Sequence, residues 1–236
     1  MNGFTASLML VVLVAACERP ADPAAEVGAK PQMTTAFDGL YGPNCAGCHG
    51  ADGRIGAALS LNDSVYRAVV DSAAVRRAIA AGTPGTLMPA FARSAGGRLA
   101  DSQIDVLVEG IRTRWGRPAP SGLAGAPPYA GSAGSPEAGA GAYATFCARC
   151  HGMPRSADAR AGEVYDPSYL ALVSDQWLRT SIIVGRPERG MPDWRGDVPG
   201  RPMTNQEITN VVAWLAAQRV PFAGQPYAPV SDPHEQ

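Results

Sequence analysis

The residues here that can hold a metal or a prosthetic group fall mostly into one short string that occurs twice. It reads Cys45-Ala46-Gly47-Cys48-His49-Gly50, and again Cys147-Ala148-Arg149-Cys150-His151-Gly152. The two copies use all but one of the five cysteines and all but one of the three histidines. Cys-x-x-Cys-His is the attachment signature of a c-type haem: the thiols become thioethers to the porphyrin and the histidine an axial iron ligand. The pair of motifs therefore implies two covalently bound haem c groups and iron redox chemistry. The competing use of two Cys-x-x-Cys pairs is a zinc site. Such pairs are usually separated by roughly 12 to 20 residues, whereas these begin at Cys45 and Cys147.

A second axial ligand is offered at matching places. Gly82-Thr83-Pro84-Gly85-Thr86-Leu87-Met88-Pro89 corresponds to Gly185-Arg186-Pro187-Glu188-Arg189-Gly190-Met191-Pro192, and an aromatic follows each methionine, Phe91 and Trp194. Methionine is a common core gap-filler. Met88 and Met191, however, each precede a proline in a Gly/Pro loop, where a thioether sulfur can be presented to iron. Met203 aligns with Leu99 and reads as packing, Met153 follows His151 too closely to reach the other haem face, and Met33 has no counterpart in the second copy. His234 lies in a polar tail. Tyr41, Tyr143, Phe91 and Trp194 read as packing on the porphyrin or beside it. The metal ligands are thus His49 and Met88 in one copy and His151 and Met191 in the other. A His/Met pair gives a closed, low-spin iron of raised potential. That suits one-electron transfer, with the cofactor carrying the redox chemistry and the chain supplying ligation and burial.

The elements that must position these groups repeat as well. Ile104, Leu107, Val108 and Ile111 follow the i, i+3, i+4, i+7 spacing, as do Ile208, Val211, Val212 and Leu215, and both predict amphipathic helices. Thr204 with Glu207 reads as a capping box, and Asp101 as the corresponding N-cap. A helix over roughly 71–81 stops at Gly82, and another over roughly 174–184 stops at Gly185, each with the glycine that follows a last helical turn.

Outside the repeats, Phe4 to Ala16 is an apolar stretch too short to span a bilayer. It ends in small residues before Cys17 and reads as residues 1–16 of a secretory signal. Cys17 then resembles the lipidated cysteine of bacterial lipoproteins, with residues 17–32 as a tether. Residues 118–136 are rich in Pro, Ala, Gly and Ser and read as a linker, and residues 223–236 as an extended tail. The net charge of −1 gives nucleic-acid binding no electrostatic support.

Taken together, residues 33–117 and 137–222 resemble two tandem class I cytochrome c domains. The resemblance rests on the paired Cys-x-x-Cys-His-Gly and Gly-x-Pro-x-x-x-Met-Pro segments and the closing helices. It implies an all-α fold of a few short helices around each haem. Many relatives carry Gly-Pro-x-Leu after the motif, whose backbone orients the histidine. Here the first copy has Gly56-Ala57-Ala58-Leu59, and a carbonyl can still accept the histidine N–H. Gly110 stands where the second copy has Trp214, which predicts looser packing between the terminal helix and the haem in the first.

The function implied is that of a lipid-anchored electron carrier or complex subunit on the periplasmic side of a bacterial membrane. Its donor would be a quinol-oxidising complex or a periplasmic dehydrogenase, and its acceptor an oxidase, a reductase or another cytochrome. A dihaem peroxidase or sulfur-compound dehydrogenase needs a labile iron site and an acid/base group. No catalytic constellation is legible, so the chain reads as a non-enzyme. A haem-based sensor would need an output domain, which the sequence does not contain.

Overall fold

The computed structural model describes residues 36–115, 118–154 and 159–220. Cys17, the signal and tether residues, Met33 and the tail with His234 lie outside them. The fold is all-α, and no β-strand occurs among the described residues. The first repeat holds α1 (Phe37–Asn44), α2 (Ala46–His49), α3 (Ser64–Val69), α4 (Ser72–Ala81) and α5 (Asp101–Thr113). The second holds α6 (Pro136–Phe146), α7 (Ala148–His151), α8 (Pro167–Leu172), α9 (Asp175–Val184) and α10 (Asn205–Ala216). None of these helices is long and apolar enough to cross a membrane.

Their ends follow from local chemistry. Asp71 caps α4 by accepting the Ala74 N–H, and Ser174 caps α9 by accepting that of Trp177. Thr204 and Glu207 form the expected reciprocal box at α10. The first repeat departs from expectation at α5. Its N-cap is Ala100, not Asp101, and only the returning half of a box is made, with the Ala100 N–H donating to Gln103 Oε1 at 3.0 Å. Asp101 is instead a first-turn residue. There it favours the helix dipole and pairs with Arg76.

In each repeat the first and last helices cross, and the crossing is closed by opposite means. In α1 and α5, the Phe37 ring fills the place of a side chain at Gly110, so a Cβ there would collide with it. In α6 and α10 the glycine has moved to the other partner. Gly139 lies against the Asn210 carbonyl and Trp214, and Trp214 in turn packs on Tyr143 with ring centroids 4.4 Å apart. The space that Gly110 leaves on α5 is thus filled from α1. Phe37, stacked on Tyr41 at 5.2 Å and edge-on to Trp115, occupies the space.

The segment between the repeats is held down rather than spanning freely. The buried Arg179 donates to the carbonyls of Pro128 and Tyr129, to Thr209 Oγ1 and to Asn205 Oδ1. Gln176 also donates to the Tyr129 carbonyl, and Arg195 to that of Ser121. Composition alone reads as a tether; these long-range hydrogen bonds tie it to the second repeat.

Candidate haem-binding sites

Each motif straddles the junction between the first helix of its repeat and a single helical turn that ends at the histidine. Cys45, Cys48, Cys147 and Cys150 are free thiols. Burial pushes Cys45 up to about 11 and Cys147 up to about 12, the opposite of an activated nucleophile. Among the described residues no group of three or more His, Cys, Asp or Glu converges to hold a metal ion.

The histidines are oriented alike. His49 Nδ1 lies 2.8 Å from the Leu59 carbonyl, and His151 Nδ1 lies 2.7 Å from that of Gly162. A carbonyl can only accept, so Nδ1 carries a proton, and in the neutral ring Nε2 is then the nitrogen with the lone pair, the tautomer a metal ligand needs. Burial lowers the pKa of His49 while the bond to Leu59 opposes this, and the net effect favours the neutral ring. The Leu59 carbonyl is positioned because its loop folds back on the motif: the Ala58 N–H donates to the Cys48 carbonyl, and Gly56 lies so close to that carbonyl that a Cβ would collide. In the second repeat Arg160 and Ala161 donate to the Cys150 carbonyl.

Met88 and Met191 are half-buried in loops that turn back over the ends of α4 and α9. The turns need glycine. Gly82 and Gly185 have φ of 69° and 72°, a region side chains rarely adopt, and a Cβ at either would strike the returning methionine loop. Hydrogen bonds then fix the loops. Phe91 and Ala92 donate to Ile79 and Ala80, and Thr83 to the Met88 carbonyl. Arg186 and Met191 exchange both backbone bonds, at 2.9 and 3.1 Å.

The matching tyrosines differ. Tyr41 Oη donates to the Gly50 carbonyl at 2.9 Å, whereas the buried Tyr143 Oη has no partner among the described residues. Thiols at the thioether spacing, histidines with Nδ1 against a carbonyl, loop methionines and an orphaned buried hydroxyl beside one motif fit a c-type haem in each repeat.

One feature gives no signal in the sequence. Arg186 and Glu188 form an ion pair at 2.8 Å, their side chains 13% and 8% exposed. They reach the first repeat: Ser60 Oγ donates to Glu188 Oε1 at 3.0 Å, and Arg186 and Arg189 both donate to the Gly56 carbonyl. Burial disfavours the Glu188 carboxylate, but hydrogen bonds from Arg186, its own backbone and Ser60 hold its pKa below the usual value. Glu188 also borders an open cleft of about 540 Å³ lined by Asp52, Arg54, Ile55, Asn62 and Trp115.

A redox protein built on repeated haem-attachment motifs is thus the class that fold and site define. Residues 32–109 and 134–215 match the family described as cytochrome C oxidase, cbb3-type, subunit III, and the chain belongs to this family of c-type cytochrome domains. Among solved structures, a protein titled KustC0563 c-type cytochrome is 24% identical, covers 35% of this chain and 99% of its own, and superposes with a TM-score of 0.30. A Kuenenia stuttgartiensis reducing HAO-like protein complex, Kustc0457/Kustc0458, is 15% identical over 78% of this chain and 96% of its own, with a TM-score of 0.42. No curated protein matches.

Proposed function

We propose that this c-type cytochrome carries two haems and passes single electrons between redox partners at the periplasmic face of a bacterial membrane. The observation that carries the reading is the repetition of a complete donor set. Cys45 and Cys48 would attach one haem with His49 and Met88 as axial ligands. Cys147 and Cys150 would attach the other, with His151 and Met191. Bound haem supplies a one-electron iron couple. The chain holds each histidine as a ligand through its Nδ1–H, encloses the site with apolar helices and keeps a methionine loop tied to the preceding helix. Methionine ligation on a closed iron raises the potential and leaves no vacant position for a substrate, which is why we read a carrier or complex subunit and not an enzyme. Cys17, lipidated after signal removal, would anchor the chain to the membrane. A quinol-oxidising complex or periplasmic dehydrogenase fits as donor, and an oxidase, reductase or further cytochrome as acceptor. The family's description makes a terminal oxidase a natural member of that set.

The test is the visible spectrum of the reduced protein with and without carbon monoxide, with haem per chain quantified on the same sample. Two haems per chain and no response to carbon monoxide is the expected result. A response from either haem would mean a labile ligand and would favour a peroxidase or sulfur-compound dehydrogenase instead.

A further inference from the structure

The contact between the repeats joins unlike surfaces. The first repeat contributes the loop that orients its histidine, and the second contributes its methionine loop. On one side, the His49 ring is bonded to the Leu59 carbonyl, and the next residue, Ser60, donates to Glu188. On the other, Glu188 pairs with Arg186, whose backbone exchanges two hydrogen bonds with Met191. From His49 to Met191 the sequence of bonds is unbroken. It runs by a hydrogen bond from His49 to Leu59, by covalent bonds to Ser60, by the hydrogen bond that crosses to Glu188, and by hydrogen bonds through Arg186 to Met191.

Two further observations show that this contact is built and not incidental. Ile55, a β-branched residue, has φ of 61°, a conformation that costs energy and persists only where surrounding structure enforces it. Its neighbour Gly56 is the residue whose carbonyl is gripped by two arginines from the other repeat. In addition, a charged pair this buried is retained only with good geometry and satisfied partners, and Ser60 and Gly56 provide those partners.

We propose that the Ser60–Glu188–Arg186 bridge locks the two repeats into one docked arrangement and is the route by which they exchange electrons. This rests on the reading that His49 and Met191 are axial ligands of two haems. The exchange moves one electron: one repeat is oxidised by one electron as the other is reduced by one, and no bond, proton or leaving group moves. Ser60, Arg186 and Glu188 are positioning residues, since none is itself a proposed ligand.

The experiment compares holoprotein of full length with the variants Ser60→Ala, Glu188→Ala and Glu188→Gln. Amide hydrogen exchange at Ala58, Asn62, Arg186 and Met191 reports opening of the two loops. Photoreduction followed by time-resolved absorbance reports electron equilibration between the haems. Removing a hydrogen bond to a buried charge should lower protection at these amides about tenfold. The fast equilibration phase should be lost in Ser60→Ala and Glu188→Ala, with both visible spectra unchanged. Glu188→Gln keeps an acceptor oxygen and should retain both properties. Wild-type protection in the two alanine variants overturns the proposal, as does lost protection with the fast phase intact. Failure of Glu188→Gln to rescue would assign the effect to charge and overturn the hydrogen-bonded route. A wild-type spectrum lacking two His/Met haems would instead defeat the ligand reading, while the exchange data would still judge the lock.

Discussion

The two repeats share one plan, and their differences show which parts of it are negotiable. At the crossing of first and last helices, the first repeat sets Phe37 of α1 against Gly110 of α5, and the second sets Trp214 of α10 against Gly139 of α6. One aromatic ring and one glycine are needed at that point, but either helix can supply either. The space to be filled is fixed by the fold, while the donor of the ring is not. The same holds for one arginine on the fourth helix of each repeat. Arg76 is 37% exposed and pairs with Asp101 and Asp105 of α5. At the equivalent place Arg179 is 2% exposed and meets Asn205 and Thr209 of α10, with the carbonyls of 128 and 129 laid over it. Two carboxylates suffice at the surface. Under the docked segment, neutral acceptors replace them, since an arginine and two acids would be costly to bury together.

The aromatic exchange offers the sharpest way to break this comparison. Trp214→Ala removes a buried ring and should cost about 3–5 kcal/mol, read as a lower denaturant midpoint of the holoprotein. Phe37 is only half-buried, so Phe37→Ala should cost less, about 2 kcal/mol. Equal losses would mean the two crossings are not alternative solutions to one packing problem.

The arginines come next. Arg179→Ala leaves several buried acceptors without their donor and should cost about 3 kcal/mol, with faster proteolytic cleavage in residues 118–135. Arg76→Ala, which removes only surface pairs, should change stability by about 0.5 kcal/mol or less. A protease pattern unchanged by Arg179→Ala would show that the segment is held by other contacts.

The smallest effect concerns pH and belongs to the second repeat. Burial, aided by Asp193 and opposed by Arg149, raises Asp197 from 3.8 to about 6. A carboxyl whose pKa is raised on folding contributes stability below its unfolded value and loses it as pH rises through the folded one. Stability should therefore fall between pH 3.8 and about 6. Asp197→Asn should flatten that part of the curve in thermal melts taken across the range.

Much of this was readable from residue type and spacing. The terminal helices, the Gly82 and Gly185 stops and the Thr204 box are local signals, set by side chains within one turn of where they act. The acceptance of the His49 N–H by the 56–59 segment without its proline was also legible, because any carbonyl can do it. What was not legible depended on partners distant in sequence. The Phe37 ring set against Gly110 comes from the far end of the repeat, and the N-cap assigned to Asp101 overlooked that Gln103 could serve Ala100 from within the helix. The composition of 118–136 gave no sign of the Arg179 contacts. Ser60 lies outside both motifs, and Arg186 and Glu188 stand at variable positions of the methionine segment; only the tertiary arrangement brings them together.

The contact between the repeats is head-to-tail, and that gives the molecule a polarity. In a two-fold pair, like surfaces meet and both ends are the same. Here a histidine loop meets a methionine loop, so the outward surfaces differ. Leu87, beside Met88, is 79% exposed, and Met153, just beyond His151, is 37% exposed. Contacts of this heterologous kind are not self-complementary; repeated in the same sense they build a ring or an open array.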